Sequence, residues 1–510
     1  MPPTRLSPPQ SPLARREEDA INAPRRIYLL SARRLSPETI AVAFARTSRS
    51  PQSFSEIASE LGEENSTRFH ERWVVGFGHA SVAEHAVLHI ALENISRLAI
   101  ECLESNRLAS YTEKSTRYQT WSPGAYWLPA EFKGSGLEAA YRATCDFLLD
   151  TYQASLQVTA ARARERFPRQ AGESDAKWEA RIRSRYVDVC RYLLPAACLA
   201  NVGVTINARA LEHALCKMLS HPLAEVREIG AEMREVARQE TPTLLKYSEA
   251  SPYLQRLEAG DKTLPLSRTG AEGLPPAGSL RLLRYDPDGE ARVLAAARVR
   301  SSGIAYEQAL REIAALSPAE QGQLASELLG SLSPREAPPR ELEHLSYMFE
   351  VVLDQGAYFE LKRHRMMTQT SAPLSSYLGY VTPLGFEQAC LVDRYREAMD
   401  RAAQTYEQLA RQDGRAASYV IPNAFRRRVL LTLNLREAFH FCELRSTENA
   451  HFAIRQIALQ MAEQIRAVHP LLSAYMRLEG RPSWQEIETC YFGRPGAQGS
   501  SGGPPDPQAT

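Results

Sequence analysis

Residues 84–118, EHAVLHIALENISRLAIECLESNRLASYTEKSTRY, decide the fold because a second stretch at 343–376 repeats their pattern. In the first stretch Arg107 lies 23 positions after Glu84, and in the second Arg365 lies 22 positions after Glu343. Each stretch begins with a short apolar or alternating run typical of a strand and continues with apolar residues at helical spacing. Ordered similarity of this kind indicates two copies of one structural unit.

The repeat extends further along the chain. Pro195 precedes Asn207 by 12 positions, and Pro422 precedes Asn434 by the same 12. A helical pattern follows in both places, and residues 188–207 and 436–465 are predicted to be helical throughout. Four correspondences in the same order favour a tandem duplication. Each copy is predicted to be α+β, with helices in the majority.

Composition shifts divide the chain of 510 residues. Residues 1–25 are rich in Pro, Arg and Ser without periodicity, and residues 496–510 are rich in Gly and Pro, so both are predicted to be disordered tails. Residues 254–279 are rich in Gly and Pro and are predicted to be a linker. We call residues 26–253 the first copy and residues 280–495 the second copy.

The overall charge excludes several classes of protein. Lys and Arg total 61 against 60 Asp and Glu, giving a net charge of +1, which argues against a nucleic-acid-binding protein. The sequence has no run of 18 apolar residues, so no membrane span is predicted. The first residues contain charges and prolines without an apolar run, so they are not predicted to be a secretory signal. Eight cysteines without a CxxC pair favour reduced thiols in a cytoplasmic protein.

Two basic clusters lie in the second copy. Arg363, His364 and Arg365 follow a predicted helix end, and guanidinium forks there could hold a phosphate. The alternative is a solvated basic edge. Asn434, Arg436 and His440 form a polar patch at the start of the next helical stretch, or a few satisfied polar residues on a helix that lines its own core. Spacing alone leaves both pairs of interpretations open.

The first copy contains a loop dense in hydroxyl groups. Glu113, Ser115 and Arg117 alternate, which would place them on one side of an extended chain, where they could bind a polar ring and a phosphate. A polar surface loop is the alternative. His79, Glu84 and His85 do not have the HExxH spacing and lack an evident third ligand, so no metal site is predicted.

Taken together, HASVAEH, ISRLAIECLESNRLASYTEKSTRY, RHRMMTQ and NLREAFHFCELR resemble the flavin-dependent thymidylate synthase family. The family signature is RHR, seven residues, a serine and then Arg-Tyr two positions later, completed by a downstream Asn-x-Arg and Leu-Arg. The resemblance covers nearly all of both copies. It implies a tandem duplicate of that fold, in which helices pack on a small, mostly antiparallel sheet.

Each copy has lost a different part of the signature. In the first copy RHR reads Ser105-Asn106-Arg107, and the late Leu-Arg reads Lys217-Met218. In the second copy the loop serine is Pro373, and the Arg-Tyr pair is Ser375-Ser376. Family members bind FAD and dUMP at sites shared between subunits. The resemblance therefore implies one composite site per chain, with the loop from the first copy and the arginines from the second, and one vestigial site.

The resemblance also implies the roles of individual residues. Arg445 would polarise the uracil as the catalytic residue. The substrate dUMP would be bound by Glu113, Ser115, Thr116, Arg117, Arg191, Glu360 and Arg363. The cofactor FAD would be bound by Ser81, Glu113, Arg363, His364, Arg365, Asn434, Arg436 and His440. NADPH and methylenetetrahydrofolate would be co-substrates of a methyl-transferring enzyme, which would form a homodimer equivalent to the family's tetramer.

Two departures from the family leave alternatives open. The family has a glutamine at the position of Glu360 and a histidine near that of Pro338. A carboxylate beside an anionic substrate could weaken binding or change the substrate. The alternatives are a flavoprotein acting on a different nucleotide and a non-catalytic nucleotide-binding or scaffold protein.

Overall fold

The computed structural model describes residues 28, 30, 32–47, 50, 52–60, 80–117, 119–259, 278–478 and 480–493. Both predicted tails, residues 1–25 and 496–510, lie outside the described residues. Of the predicted linker, residues 254–259 belong to a helix, and residues 260–277 lie outside the described part. The boundaries of the two copies stay a prediction.

Seven strands in the described residues form two small sheets. The strands are β1 (Val87–Ser96), β2 (Ala109–Glu113), β3 (Leu199–Asn207), β4 (Ser279–Tyr285), β5 (Ser346–Asp354), β6 (Thr368–Ser371) and β7 (Arg426–Asn434). One sheet has the order β1-β3-β2 and the other β4-β5-β7-β6. The pairs β2–β3, β4–β5, β5–β7 and β6–β7 are antiparallel. The α+β prediction with a small antiparallel sheet is confirmed.

Helices make up most of the remaining described structure. They are α1 (Pro37–Thr47), α2 (Phe54–Glu60), α3 (Arg97–Glu104), α4 (Glu138–Arg166), α5 (Asp175–Cys190), α6 (Ala208–Leu219), α7 (Ala224–Arg238), α8 (Pro252–Ala259), α9 (Gly289–Ser302), α10 (Tyr306–Ala314), α11 (Pro318–Leu329), α12 (Gln355–Leu361), α13 (Leu384–Gln388), α14 (Val392–Ala410), α15 (Leu435–Arg445), α16 (Phe452–Val468), α17 (Pro470–Ser473) and α18 (Ile487–Phe492). None of these helices in the described residues has the length and apolar character needed to cross a bilayer.

The order of elements repeats between the copies. The series β1, α3, β2, α4, β3, α6, α7 in the first copy corresponds to β5, α12, β6, α14, β7, α15, α16 in the second. The sheet order β1-β3-β2 corresponds to β5-β7-β6, with β4 added at one edge. Topology therefore repeats together with sequence, as expected for a duplicated unit.

Two stretches predicted to be helical throughout are interrupted. Helix α5 ends at Cys190, and the chain turns at Pro195 before β3, whose residues alternate between buried and exposed. Proline cannot continue a helix, and the alternating Val, Thr and Ile of β3 favour a strand. The stretch 436–465 forms two helices, α15 and α16, with a break at 446–451. Ser, Thr and Asn in the break compete with helical backbone hydrogen bonds, and His451 caps the amino-terminus of α16.

The chain separates into two compact units. Of the described residues, the smaller unit comprises those between 28 and 88, with 207–209 and 238–246, and its core includes Ala43, Ile57 and Ala58. The larger unit comprises the described residues of 89–206, 210–237 and 247–493. Its core includes the buried faces of β5 and β7, where Phe349 and Leu431 are fully buried.

Within the larger unit the two copies meet through equivalent backbone segments. Pro195 and Pro422 face each other in an antiparallel bridge. The N–H of Ala196 donates to the carbonyl of Ile421 at 2.9 Å, and the N–H of Asn423 donates to the carbonyl of Leu194 at 3.0 Å. The contact is reciprocal, as it would be across the twofold axis of a symmetric dimer.

Buried ion pairs also join the copies. The ammonium of Lys362 lies 2.7 Å from the carboxylate of Glu104, and the guanidinium of Arg427 lies 2.7 Å from Glu101. Burial would lower the pKa of Lys362, but Glu113, Glu104 and Glu101 raise it above its usual value. These charges are therefore paired across the interface between the copies.

Removing one partner of the Glu104–Lys362 pair is expected to destabilise the fold. The substitution Glu104→Ala should lower the free energy of unfolding by about 3 kcal/mol, since it leaves a buried ammonium facing fewer carboxylates. The double variant Glu104→Leu with Lys362→Met should recover most of that loss, as measured by urea unfolding. The exposed pair Arg162–Glu165 is the control, and its loss should cost less than about 1 kcal/mol. Equal losses of unfolding free energy at the two pairs would contradict a stabilising role for the buried Glu104–Lys362 pair.

Candidate active site

The hydroxyl-rich loop follows strand β2. Extended backbone ends at Glu113, and Thr116 and Arg117 lie in a turn in which the N–H of Arg117 donates to the hydroxyl of Ser115 at 3.2 Å. The prediction of an extended chain through Arg117 is therefore wrong. A serine hydroxyl accepts from a backbone N–H two residues on, which favours a turn over an extended strand.

The RHR stretch follows helix α12, as predicted. Asp354 caps the amino-terminus of α12 by accepting from the N–H of Ala357 at 2.8 Å, and the helix is buried along its whole length. The helix ends at Leu361, and the N–H of His364 donates to the Leu361 carbonyl at 3.0 Å. The turn projects the RHR side chains from a rigid helix.

A cavity of about 240 Å³ contains the two parts of the predicted site. We call it the arginine cavity. Among its lining residues are Glu113, Ser115, Thr116, Arg117 and Arg191 from the first copy, and Glu360, Arg363 and Arg445 from the second. The structure therefore brings all the predicted substrate-binding residues together with Arg445 within one chain.

Glu360 lies between two arginines of this cavity. Arg445 donates from Nη1 to Glu360 Oε2 at 3.2 Å, and Arg117 Nη1 lies 3.8 Å from Glu360 Oε1. Glu360 is buried, and Oε1 has no hydrogen-bond partner among the described residues. Burial lowers the pKa of Arg445, and Glu360 acts in the opposite direction. One carboxylate thus connects arginines from the two copies.

Arg117 is anchored by Asp188, a residue that the sequence did not single out. Its Nε and Nη2 atoms donate to the two carboxylate oxygens of Asp188 at 2.8 Å each, and Nη1 donates to the carbonyl of Asn449 at 2.7 Å. Burial would raise the pKa of Asp188, but Arg117 and His451 hold it well below its usual range. The available signal was an aspartate between two valines in an apolar stretch of the helix, because a buried carboxylate needs a partner.

Arg97 holds the carboxylate of Glu113 and was also missed. Its Nη1 lies 3.0 Å from Glu113 Oε1, and its guanidinium lies 4.0 Å from the centre of the Phe359 ring. Burial would raise the pKa of Glu113, but Arg97, Lys362 and Arg363 lower it. Glu113 is therefore held ionised at the wall of the cavity.

A second cavity, of about 680 Å³, lies entirely in the second copy. We call it the large cavity. Asn434, Arg436 and His440 line it together, although helical spacing alone did not place Asn434 and His440 on one face. Asn434 is the residue that caps α15, outside the helical turns, and it accepts from the N–H of Glu437 at 2.9 Å. Arg436 donates to the carbonyl of Pro338 at 2.7 Å.

His364 lines neither cavity, but it contacts Glu437, which lines the large cavity, and Arg445, which lines the arginine cavity. Its Nδ1 lies 3.0 Å from Glu437 Oε1, and its Nε2 lies 2.9 Å from Nε of Arg445. Arginine can only donate, so Nε2 accepts and Nδ1 carries the proton that is donated to Glu437. His364 is thus assigned as neutral, and burial lowers its pKa. Its ring centre lies 5.3 Å from that of His440.

Besides His364, two predicted cofactor residues line neither cavity. Ser81 belongs to the short 3-10 helix Ala80–His85 in the smaller unit and lines neither cavity. The Arg365 guanidinium lies 5.7 Å from the centre of the Tyr111 ring and also lines neither cavity. Arg363 and Glu113 line the arginine cavity only. The flavin-binding roles of these four residues and of His364 stay predictions.

Comparison with known proteins identifies the family. The profile of the family described as thymidylate synthase complementing protein matches residues 29–243 and again residues 281–471. The chain belongs to this family. The two matched segments confirm the resemblance and the tandem duplication.

Individual relatives differ in how much of the chain they match. A protein named UPF0159 from Chlamydia muridarum is 31% identical over 436 residues, which is 82% of each chain. Another UPF0159 protein, from Thermoplasma acidophilum, is 29% identical and covers 82% of this chain and 90% of its own length. A flavin-dependent thymidylate synthase from Clostridium tetani is 27% identical over 221 residues, which is 42% of this chain and 84% of that protein. The duplicated length is thus matched by the UPF0159 relatives, and about one copy by the Clostridium enzyme.

In this member of the family, the neutral state of His364 should affect stability. The pKa of His364 in the folded chain lies below its usual value of 6.5, so the unfolded chain binds more protons just below that pH. Stability should therefore fall as the pH falls below about 6.5, by up to about 1.4 kcal/mol per pH unit from this residue. The variant His364→Gln should show a shallower loss between pH 7.5 and 5.5 in urea unfolding. Identical slopes would show that His364 is not held neutral.

Proposed function

We propose that this chain is an FAD-dependent thymidylate synthase. It would convert dUMP to dTMP with methylenetetrahydrofolate as the carbon donor and NADPH as the reductant. The observation that carries the proposal is the arginine cavity, in which loop residues of one copy and arginines of the other line a single space. The thymidylate synthases among the relatives support the reaction, and the UPF0159 names do not specify one.

The charges of the arginine cavity suit a nucleoside monophosphate. Six cationic side chains line it, against two carboxylates: the cations are Arg97, Lys114, Arg117, Arg191, Arg363 and Arg445. Arg191 is fully buried, and its Nε and Nη2 atoms have no hydrogen-bond partner among the described residues. Unpartnered buried donors are costly, so a phosphate group that accepts from them would stabilise both the site and the complex.

Arg445 would stabilise the negative charge that develops on the uracil ring. Its guanidinium is held in place on one edge by His364 and on another by Glu360. A donor fixed before the reaction and removed from water is more effective than a mobile one, since no reorganisation is needed when the charge forms. His364 and Glu360 thus act by orienting the plane of the guanidinium toward the cavity.

The large cavity fits a flavin cofactor. Its volume of about 680 Å³ lies within the usual range for cofactor sites, which is roughly 300–1,000 Å³. Asn434, Arg436 and His440 would hold FAD there, and bound FAD would supply the hydride-transfer chemistry. Leu444 and Thr447 line both cavities, so cofactor and nucleotide would bind on two sides of the same helix end.

The duplicated chain also leads to a proposal for the assembly. Two chains would supply the four units of the family's tetramer, so we expect a homodimer with two composite sites, measurable by light scattering. A flavoprotein acting on a different nucleotide is the second candidate, and Glu360 is the observation that favours it. Both candidate enzymes would bind the flavin with the same residues of the same fold.

The composite site can be tested with one variant from each copy. Arg117→Ala and Arg445→Ala should each reduce tritium release from 5-labelled dUMP by at least about 100-fold, because each removes a cation from the same cavity. Arg162→Ala, at an exposed position, is the control and should leave turnover unchanged. If Arg117→Ala is as active as wild type while Arg445→Ala is inactive, the composite site is wrong.

The flavin proposal has a separate readout. Purified protein, or protein incubated with FAD, should be yellow and show a flavin absorption band that is lost in the double variant Arg436→Ala with His440→Ala. A colourless protein that cannot be reconstituted with FAD would refute both the synthase and the alternative flavoprotein.

A variant of Glu360 tests whether dUMP or another nucleotide is the substrate. Replacing it by the family residue, Glu360→Gln, removes one negative charge beside the phosphate while keeping an acceptor for Arg445. The KM for dUMP should fall about 10-fold, since charges about 5 Å apart near a protein surface interact by several kcal/mol and part of this is offset by the arginines. Glu165→Gln is the exposed control. A higher KM for dUMP in Glu360→Gln would instead favour a different nucleotide as substrate.

A further inference from the structure

The carboxyl-terminal segment lies outside the part of the chain that matches the family. The second matched segment ends at residue 471, and helix α18 follows at Ile487–Phe492. Tyr491 and Phe492 of this helix are buried, and both rings pack near Phe452, with ring centres 5.4 and 5.2 Å away. The segment is therefore an ordered part of the fold, although the family pattern does not include it.

Tyr491 reaches the anchor of the arginine cavity. Its hydroxyl donates to Asp188 Oδ2 at 2.8 Å, and it lies 3.4 Å from the carbonyl of Ser184. Asp188 is the residue that binds Arg117 through both carboxylate oxygens. A fully buried carboxylate needs several donors to remain ionised, and Tyr491 supplies one besides Arg117. Helix α18 thus contacts Asp188, Asp188 binds Arg117, and Arg117 lines the arginine cavity.

Helices of the first copy hold this tyrosine in place. The Arg185 guanidinium lies 4.1 Å from the centre of the Tyr491 ring and also donates to the Tyr491 carbonyl. Arg166 donates to the carbonyl of Gly493 at 2.5 Å. One ring contact and two hydrogen bonds to backbone carbonyls therefore hold Tyr491 beside Asp188, and a residue so constrained can position a neighbour.

We propose that helix α18 is a positioning element for the substrate site, acting through Tyr491 on Asp188 and so on Arg117. This inference rests on the nucleotide site proposed above. Arg117 has three donor atoms engaged, and one of them, Nη1, also lies 3.8 Å from Oε1 of Glu360, which lines the cavity. The direction in which Arg117 presents these groups is set by the Asp188 carboxylate, and the plane of that carboxylate is set by Tyr491.

The test compares two tyrosine-to-phenylalanine variants in the full-length, FAD-loaded protein. Tyr491→Phe removes the hydroxyl on Asp188, and Tyr141→Phe removes a hydroxyl that donates to the Trp127 carbonyl at 2.6 Å and lines neither cavity. Tyr491→Phe should raise the KM for dUMP about 3- to 10-fold, with kcat within about twofold and flavin content unchanged. Tyr141→Phe should change none of these quantities.

A double-variant cycle separates positioning from general destabilisation. Asp188→Asn removes the carboxylate charge and should raise the KM for dUMP more than Tyr491→Phe does. In the Asp188→Asn background, Tyr491→Phe should have no further effect on KM, because its action passes through that carboxylate. Additive effects, or an unchanged KM in Tyr491→Phe alone, would overturn the proposal.

A measurement without substrate distinguishes the failure of this inference from that of the proposed function. The Nε–H of Arg117 should exchange slowly with water in an NMR experiment, its signal being identified by its loss in Arg117→Lys. Tyr491→Phe should accelerate that exchange, and Tyr141→Phe should not. If wild type neither binds nor converts dUMP but exchange accelerates, the positioning element stands and the proposed reaction fails. Unchanged exchange in Tyr491→Phe overturns the positioning element.

Discussion

Two equivalent prolines, Pro195 and Pro422, lie opposite each other in a short antiparallel bridge, and backbone hydrogen bonds run in both directions across it. Proline has no N–H, so the flanking residues of each copy supply the donors to the other copy. This reciprocal pairing fixes the distance between the copies at one point. Arg191 lies four residues before Pro195, and its carbonyl accepts from the side chain of Asn423 of the other copy at 2.9 Å. The position of a candidate substrate-binding arginine therefore depends directly on the pairing.

The arginine cavity shows how a buried cluster of like charges is maintained. Four of the six cations that line it lie within 4 Å of a carboxylate, as Arg117 does to Asp188 and Arg97 to Glu113. Buried ions are costly in isolation and become tolerable when they are paired and hydrogen-bonded. The excess of cations that remains is the property that suits an anionic ligand. Arg191 is the clearest case, because two of its donor atoms have no partner in the described residues.

The sequence locates the segments that short motifs mark, and it does not reveal the contacts that depend on packing. The loop around Ser115 and the RHR stretch were both identified, since their spacing survives duplication. Asp188 and Arg97 were missed, because each looks like an ordinary residue of a helix until its partner is known. The strand at 199–207 lies in a stretch predicted to be helical, and it forms because Pro195 stops the preceding helix and the alternating residues after it favour extended backbone.

The sequence by itself determined that the chain contains two related copies, that each copy is α+β, and that complementary parts of one signature survive in them. These properties are local, and each can be identified within a few tens of residues. Only the tertiary structure decided that the surviving parts meet within one chain, that Glu360 joins Arg117 to Arg445, and that Tyr491 reaches Asp188. Such contacts connect residues more than 80 positions apart, and their geometry is set by backbone pairing and core packing, which leave no regular spacing in the sequence.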